Sequence, residues 1–398
     1  MFTKTYFYRT KMYKLVNIER LMETFAGNRY IYSYDEARKV AKRKLPHFIF
    51  EYIDGAAGSE FGEQRNRNCI RQIELKPKAL INVRDISTNQ TILKERSTIP
   101  FGIAPMGMCQ FVSPNADRHL ASLGKEKKIP ICVSTVASTS LERYWELSEG
   151  NSWFQLYVHS DIEFAKNLVK RAADTGYKKL ILTVDVPALG RRPREEIAGF
   201  KVPFRLTPKI FLDCAIHPRW SIANLFSGIP QPGNFRKNAF DRSGGRGIID
   251  WEFLKKLRNM WKDDLIVKGI LNVDDAIKIA SYGVDAIQIS GHGGRQLDSM
   301  PSPIEILYHV KKQVKNKCKL IFDTGIRSGE DIVKAYSLGA DFVMIGRPAL
   351  MAIAAFEKKG LYEMVNLLNH ESKLTMAQLG EIKISNLSMK NISKLPFK

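Results

Sequence analysis

The amino-acid sequence predicts an α/β protein built as a (β/α)₈ barrel with an N-terminal helical extension and a long insertion after strand 4. Three observations predict it. Short apolar segments rich in β-branched residues recur along the chain, segments with helical periodicity separate them, and polar residues follow most of the apolar segments. Near-continuous apolar strands that alternate with helices are typical of a parallel sheet covered on both faces. A doubly wound open sheet is the alternative, but eight repeats in one chain favour the closed barrel.

Eight segments have the character of buried parallel strands. In chain order they are IPFGIAP, IPICVS, WFQLYV, KLILTV, DLIVKG, DAIQIS, KLIFDT and DFVMIG. Helices are predicted between them, for example in IEFAKNLVKRAADTG, VDDAIKIASYG and GEDIVKAYSLG. Each of these three segments ends in the glycine expected after a helix C terminus.

Several regions lie outside the repeats. Residues 1–30 are predicted as an N-terminal extension, residues 31–385 as the barrel with one or two helices packed against its start, and residues 386–398 as a C-terminal tail. Residues 186–262 are far longer than an ordinary connection after a strand and predict an insertion. Its segment PKIFLDCAIHPRWSIANLF mixes apolar residues with Lys, Arg and Trp. This composition fits an amphipathic element at a bilayer surface or a lid over the barrel mouth, and the sequence leaves both open.

Composition limits the class of protein. With 44% hydrophobic and 26% charged residues, the 398-residue chain can bury a large core. The formal net charge of +21 suits an anionic partner, but the lysines are scattered and no nucleic-acid-binding motif accompanies them. The five cysteines have no metal-ligand or redox spacing, which predicts reduced thiols, no metal site and a cytoplasmic location. No apolar run is long enough to span a bilayer.

The barrel prediction locates a site. In this fold the active site is built at the C-terminal ends of the strands, so polar residues there are its candidate residues. They are Ser134, Gln155, Tyr157, Thr183, Asp185, Lys268, Ser290, His292, Asp323, Gly346 and Arg347. An incidental distribution would scatter such groups along the chain. Their repeated occurrence at strand ends therefore predicts one polar site at this rim.

The segment SGHGGRQLD follows the sixth strand and places His292 and Arg295 among glycines. It fits either a loop that binds a ligand closely or a strand-to-helix turn with an incidental histidine, and the segment alone favours neither. With Asp185 on the same rim, His292 suits a general base whose imidazolium the carboxylate stabilises. Arg295 and Arg192 suit a bidentate clamp for a substrate carboxylate.

The last two strands carry a second set of glycines and arginines, in DTGIRSGEDIVKAYSLGADFVMIGRP. Gly325, Arg327, Gly346 and Arg347 fit a phosphate site; tight turns are the alternative. Lys268 can place a positive charge beside an electron-rich cofactor ring. The sequence lacks the motifs of serine or cysteine hydrolases, zinc peptidases and P-loop proteins. Base, carboxylate clamp, phosphate site and cation together predict an FMN enzyme acting on a small acid.

The order and spacing of these motifs resemble the FMN-dependent α-hydroxy-acid oxidases and dehydrogenases, which include glycolate oxidase, L-lactate dehydrogenase and mandelate dehydrogenase. The resemblance runs from about Tyr34 to about Leu379 and rests on LPHFIFEYIDGAA, FGIAPMG, WFQLYV, LTVDVPALGRR, LIVKGI, SGHGGRQLD, DTGIRSGEDIVKA and GADFVMIGRP. It implies a TIM-type barrel, bound FMN and a homo-oligomer, a tetramer by analogy. The insertion is most similar to the mandelate dehydrogenase branch, where it attaches the enzyme to a membrane, which implies a peripheral position on the inner face of the cytoplasmic membrane.

The resemblance also implies roles for individual residues. His292 would be the base, Asp185 its partner, and Tyr157 a hydrogen-bond donor to the reacting oxygen. Arg295, with Tyr52 and Arg192, would hold the substrate carboxylate, and the small residues Gly107 and Val136 would leave room for a bulky side chain. The implied FMN contacts are Pro105, Met106, Gly107, Ser134, Gln155, Thr183, Lys268 and Ser290 at the ring, Asp323 at the ribityl chain, and Gly325, Arg327, Gly346 and Arg347 at the phosphate.

The reaction implied is oxidation of an L-2-hydroxy acid to the 2-oxo acid, with transfer of a hydride equivalent to flavin N5 and quinone, cytochrome or oxygen as electron acceptor. The residues do not distinguish direct hydride transfer from a route in which the α proton leaves first. Gly291 replaces the Asn that the family usually has, which is expected to loosen the loop. A second hypothesis is therefore a specialised member that oxidises a larger α-substituted metabolite in a biosynthetic pathway. A third, from another class, is a non-catalytic basic barrel associated with a membrane.

Overall fold

The computed structural model describes residues 30–159, 161–201, 205–235 and 247–397. Eight strands in these ranges form a closed parallel barrel, which confirms the predicted fold class. The strands are Phe101–Met106 (β1), Ile131–Ser134 (β2), Trp153–Leu156 (β3), Lys179–Thr183 (β4), Asp264–Ile270 (β5), Ala286–Ile289 (β6), Lys319–Phe322 (β7) and Phe342–Ile345 (β8). Each strand pairs with the next along the chain, and β8 pairs with β1.

Helices surround the barrel. They are Tyr34–Lys44 (α1), His47–Asp54 (α2), Phe61–Arg71 (α3), Ala116–Lys127 (α4), Leu141–Leu147 (α5), Ile162–Thr175 (α6), Pro193–Ala198 (α7), Pro208–Ala215 (α8), Pro218–Ser227 (α9), Trp251–Met260 (α10), Val273–Ser281 (α11), Pro303–Val314 (α12), Gly329–Ser337 (α13) and Arg347–Gln378 (α14). Short 3₁₀ turns span Cys109–Phe111, His292–Gly294, Ile384–Asn386 and Met389–Asn391. Helix α14 is kinked at Phe356 and Glu357, whose dihedral angles are not helical.

Local sequence sets the ends of the helices between the strands. Asp161 accepts a hydrogen bond from the amide of Phe164 at the start of α6, and Gly176 ends that helix with φ of 111°. Ser328 and Asp331 form a reciprocal capping box at the start of α13. These contacts satisfy backbone groups that the first and last turns of a helix leave without internal partners.

A β-hairpin closes the N-terminal end of the barrel. Its strands are Gln90–Ile92 and Glu95–Ser97, and Ile92 belongs to the same buried cluster as the inward-facing strand residues. The indole of Trp153, at the start of β3, donates to Glu95 over 2.8 Å. Since this end is filled, the opposite end, where the strands terminate, is the one that can hold a ligand.

Segments from both ends of the chain complete the outer layer. The last strand, Ile392–Lys394, pairs antiparallel with Glu74–Leu75, so the segment predicted as a C-terminal tail contributes to a small sheet. Helix α2 ends over the open mouth of the barrel. Its terminal carbonyls accept hydrogen bonds from Arg295 after β6 and Arg347 after β8, which suits the negative end of a helix dipole.

The long connection after β4 contains α7, α8 and α9. Helix α10 directly precedes β5 and packs as an ordinary barrel helix, so the inserted elements lie before Trp251. The indole of Trp220 in α9 donates to the carbonyl of Phe111 over 2.8 Å and meets the ring of Phe48 edge-on, which fixes α9 to the barrel. The outer faces of α8 and α9 expose Phe211, Leu212, Ile216, Ile222, Leu225 and Phe226.

Candidate active site

A cleft with a cavity volume of about 210 Å³, partly open to solvent, lies at the C-terminal end of the barrel. Its lining includes most of the predicted site residues, namely Tyr52, Pro105, Met106, Gly107, Val136, Tyr157, Arg192, Lys268, His292, Arg295, Asp323, Gly325, Arg327, Gly346 and Arg347. Asp185, Ser134, Gln155, Thr183 and Ser290 are not part of this lining and lie behind it. The sequence-based prediction of one shared site at this rim thus agrees with the geometry.

His292 lies between a carboxylate and a phenol. Its Nδ1 is 3.0 and 3.1 Å from the two carboxylate oxygens of Asp185, and its Nε2 is 3.1 Å from the Tyr157 hydroxyl. An ionised carboxylate can only accept, so neutral His292 carries its proton on Nδ1 and leaves Nε2 as the acceptor that faces the cleft. This is the orientation that a general base requires.

The electrostatic surroundings keep this pair in its working protonation state. Burial lowers the pKa of His292 below its ordinary 6.5, and Lys268 adds to this effect while Asp185 opposes it. Burial would raise the pKa of Asp185, but His292 and Lys268 outweigh it, and the pKa is lowered. At neutral pH the imidazole is therefore neutral and the carboxylate is charged.

Lys268, only 4% exposed, provides the buried cation that the sequence predicted. Its Nζ donates to the Ser290 hydroxyl over 2.8 Å and lies 3.5 Å from Asp323. Burial would lower the pKa of Lys268, but the charges of Asp323 and Asp185 outweigh it and the pKa is raised. The ammonium is thus a permanent positive charge on the cleft lining.

A row of polar side chains runs along the ends of β2, β3 and β4. Ser134 donates to Gln155 over 2.7 Å, and the Gln155 amide donates to Thr183 over 3.0 Å. Strand register explains the row, because Ser134 pairs with Gln155 and Thr183 pairs with Lys268 in neighbouring strands. Equivalent positions at the ends of parallel strands are therefore brought side by side.

The two predicted clamp arginines share a buried carboxylate that the sequence analysis did not identify. Glu195, 3% exposed, lies 2.5 Å from Nη2 of Arg295 and 3.5 Å from Nη1 of Arg192. Arg295 also donates to the carbonyls of Tyr52 and Gly55, at 2.7 and 2.9 Å. Both guanidinium groups are thus fixed on one side of the cleft. Glu195 lies in the insertion, where no strand repeat marked its position.

The predicted phosphate site is strongly cationic. Arg327 donates to Glu63 over 3.2 Å, but its buried Nε has no hydrogen-bond partner among the residues described. Arg347 donates to three backbone carbonyls, and burial together with Arg327 and Arg295 lowers its pKa to about 10. Crowded guanidinium groups with an unused buried donor fit an anion, so the residues present are compatible with the phosphate of FMN.

One part of the lining of the cleft that holds His292 is apolar and aromatic. Phe200 stacks on Tyr52 with ring centroids 4.2 Å apart, and Val136, Met108 and Leu189 complete this wall. The Tyr52 hydroxyl donates to the Gly107 carbonyl over 3.0 Å. The sequence analysis missed Phe200 because it belongs to the insertion.

Two glycines have roles that only the structure reveals. Gly269, with φ of 104°, packs so closely on Asp185 that an added Cβ would lie 2.5 Å from the Asp185 Cβ. At Gly291 a Cβ would lie 2.7 Å from the Met300 methyl and 2.8 Å from its sulfur. The Met300 side chain thus fills the space beside Gly291, and the expected loosening of the loop stays a prediction.

Comparison with known proteins gives consistent matches. The family model for FMN-dependent dehydrogenase matches residues 41–394. An (S)-mandelate dehydrogenase of Pseudomonas putida is 35% identical over 368 residues, which are 90% of this chain and 93% of the relative. A 2-hydroxyacid oxidase of Dictyostelium discoideum is 36% identical over 357 residues, 89% of this chain and 88% of that protein. The crystal structure of a monotopic membrane (S)-mandelate dehydrogenase superposes with a TM-score of 0.87 at 34% identity, covering 92% of this chain and all of that one.

Proposed function

The chain belongs to the FMN-dependent dehydrogenase family and is an FMN-dependent 2-hydroxy-acid dehydrogenase or oxidase, and we propose that its substrate is an (S)-2-hydroxy acid with an aromatic or bulky apolar side chain. The non-catalytic alternative is thereby excluded. The observation that supports this substrate class is the aromatic and aliphatic wall of Tyr52, Phe200, Val136 and Leu189 in the same cleft as His292. The relatives named for mandelate have a substrate of this chemistry.

In the proposed reaction His292 is the base. Its Nε2 accepts the proton that the substrate gives up, and Asp185, 3.0 Å from Nδ1, stabilises the imidazolium that results. Tyr157 is 3.1 Å from the same Nε2 and can hydrogen-bond the reacting oxygen. Bound FMN supplies the two-electron acceptor.

The remaining predicted residues bind and orient. Arg295 and Arg192 hold the substrate carboxylate at the edge where Glu195 fixes them. Lys268 would stabilise negative charge on a bound cofactor ring by its ammonium, which stays charged at neutral pH. Arg327 and the backbone around Gly346 would hold the phosphate of FMN. Asp323 already accepts four hydrogen bonds or ionic contacts from its neighbours, so a ribityl hydroxyl would share this carboxylate with them.

A substrate panel tests this proposal. Under anaerobic conditions the FMN-loaded enzyme is mixed with glycolate, L-lactate, (S)-mandelate and (S)-3-phenyllactate, and loss of the oxidised flavin absorbance is followed. We expect the two aromatic acids to reduce the flavin with the highest specificity, because their rings bury apolar surface against the wall. A Val136→Trp variant, which fills this space, should reverse the preference. Preference of the unmodified enzyme for glycolate would contradict the proposed substrate class.

We also propose that α8 and α9 attach the enzyme to a membrane surface. Leu225 and Phe226 at the end of α9 are 80% and 86% exposed, and Phe211 and Ile216 extend the apolar face. Exposed Lys209 and Arg219 on the same helices fit anionic lipid head groups. No helix in the described parts of the chain is long and apolar enough to cross a bilayer. The exposed apolar face of α8 and α9 favours contact through a surface over a purely internal lid.

Sedimentation with vesicles containing anionic lipid tests the attachment. Each buried Leu or Phe side chain contributes about 1.5–3 kcal/mol, so Leu225→Ser combined with Phe226→Ser should weaken binding by at least about 100-fold. Leu374→Ser, which changes an exposed leucine on α14, is the matched control and should still sediment. An unmodified enzyme that stays in the supernatant would refute the proposal.

The other partners stay predictions. The family passes electrons from a small 2-hydroxy acid to an acceptor, and a membrane position would favour quinone over oxygen or a soluble cytochrome. A tetramer and a cytoplasmic location on the inner membrane face are expected from the resemblance. Sedimentation velocity of the FMN-loaded enzyme would test the tetramer.

A further inference from the structure

Thr324, which follows β7, has an unusual backbone conformation. Its φ of 83° lies in the left-handed region, which β-branched residues disfavour strongly. The residue is half-buried and lines the cleft next to Asp323 and Gly325. A strained threonine where glycine would fit without cost indicates that its side chain has a role there.

The hydroxyl of Thr324 uses its full hydrogen-bonding capacity. It donates to Oδ1 of Asp323 over 2.7 Å and accepts from the backbone amides of Gly291 and Gly293 at 3.0 and 3.2 Å. A hydroxyl has one hydrogen and two lone pairs, so these three contacts saturate it. The two amides flank His292 on either side.

The loop that these contacts hold turns through the left-handed region, which glycine adopts freely and His292 does not. His292, Gly293 and Gly294 have successive φ values of 51°, 66° and 75°. The amide of His292 donates to the Ser290 hydroxyl over 3.1 Å, and that hydroxyl donates to Asp323 Oδ1 over 2.6 Å. The three amides of residues 291–293 are thus bound by two hydroxyls that share one carboxylate oxygen.

We propose that Thr324 is a positioning residue, which acts through the backbone of the His292 loop and holds the imidazole between Asp185 and Tyr157. This inference rests on the proposed role of His292 as the base. The Thr324 hydroxyl does not contact the imidazole itself. Its effect on the reaction is to restrict the loop, since small displacements of a base from its reacting geometry slow proton transfer strongly.

Three substitutions separate the hydroxyl from the strain. Thr324→Ser keeps the hydroxyl, Thr324→Val keeps the branched shape without it, and Thr324→Gly removes both the hydroxyl and the strain. Two measurements are made on the FMN-loaded enzymes. One is hydrogen exchange of the peptide that contains residues 290–295, and the other is the rate of anaerobic flavin reduction as a function of substrate concentration.

We expect the Ser variant to match the parent in both measurements. The Val and Gly variants should exchange faster in this peptide and reduce flavin roughly 10- to 100-fold more slowly at saturating substrate, with little change in KM. The Gly variant should show both effects with an unchanged melting temperature. A merely structural role of Thr324 would instead predict a lower melting temperature. If the Val variant fails to fold, comparison of the Ser and Gly variants still shows whether the hydroxyl is required.

Either of two results would overturn the inference: parental exchange and parental rates in the Gly variant, or a Ser variant as slow as the Gly variant. Failure of the proposed function would be recognised separately. In that case a His292→Gln enzyme would reduce flavin at the parental rate, whereas the exchange measurement would still report whether Thr324 holds the loop.

Discussion

Replacing Asp185 with asparagine removes a charge from its pair with His292 and leaves the shape of the side chain almost unchanged. The carboxylate oxygens are 3.0 and 3.1 Å from Nδ1, and the Asp185 side chain is only 12% exposed. At a charge separation of about 4 Å and an effective dielectric constant of about 20, the carboxylate stabilises the imidazolium by about 4 kcal/mol. The asparagine oxygen retains one hydrogen bond, worth about 1 kcal/mol.

The net loss of about 3 kcal/mol predicts a flavin reduction rate that is roughly 100- to 1000-fold lower. Anaerobic single-turnover mixing at saturating substrate measures this rate directly, and the flavin absorbance before mixing shows whether FMN is retained. Asp263→Asn is a suitable control, since Asp263 is exposed and lies 3.3 Å from Lys178 just before β5, at the end of the barrel opposite the cleft, and its loss should leave the rate near parental. An Asp185→Asn enzyme that retains FMN and reduces it within about threefold of the parental rate would refute the role of this pair.

Three further predictions concern the same site. Burial lowers the pKa of His292 below 6.5, so the base is neutral above that pH. We therefore expect kcat/KM to stay constant as the pH falls from about 8 to 6.5 and to decline only below 6.5. A decline that begins above pH 6.5 would contradict the direction of the pKa shift. Arg327→Met removes the guanidinium whose buried Nε has no partner among the described residues. Equilibrium dialysis should then show an affinity for FMN that is roughly 10- to 100-fold lower. An unchanged affinity would exclude Arg327 from the phosphate site. Gly269→Ala places a Cβ 2.5 Å from the Asp185 Cβ and should displace Asp185. Flavin reduction should therefore be at least about tenfold slower, with FMN still bound. A parental rate would show that the reaction tolerates displacement of Asp185.

The sequence predicted the barrel and its polar rim well for a physical reason. Buried parallel strands leave an apolar run that ends abruptly in polar residues, and closure of the barrel brings those ends together. Asp185 and His292 could therefore be paired from their positions after β4 and β6. Their 3.0 Å contact needed the structure.

What the sequence could not reveal depends on contacts between distant segments. Glu195 and Phe200 lie in the insertion, outside the repeating pattern, and reach the cleft only through the path of that segment. The positive φ of Thr324 leaves no trace in residue type, since threonine does not favour it. The packing of Met300 against Gly291 is a contact of the same kind, because the two residues are nine positions apart in the sequence.

Flavin reduction by a His292→Gln enzyme is the most direct test of the proposed mechanism. The FMN-loaded variant is mixed anaerobically with saturating (S)-mandelate, and its rate of flavin bleaching is compared with that of the parent. A general base contributes roughly 10²- to 10⁴-fold, so the variant should keep its FMN and bleach slower by that factor. Bleaching at the parental rate would contradict the assignment of His292 as the base.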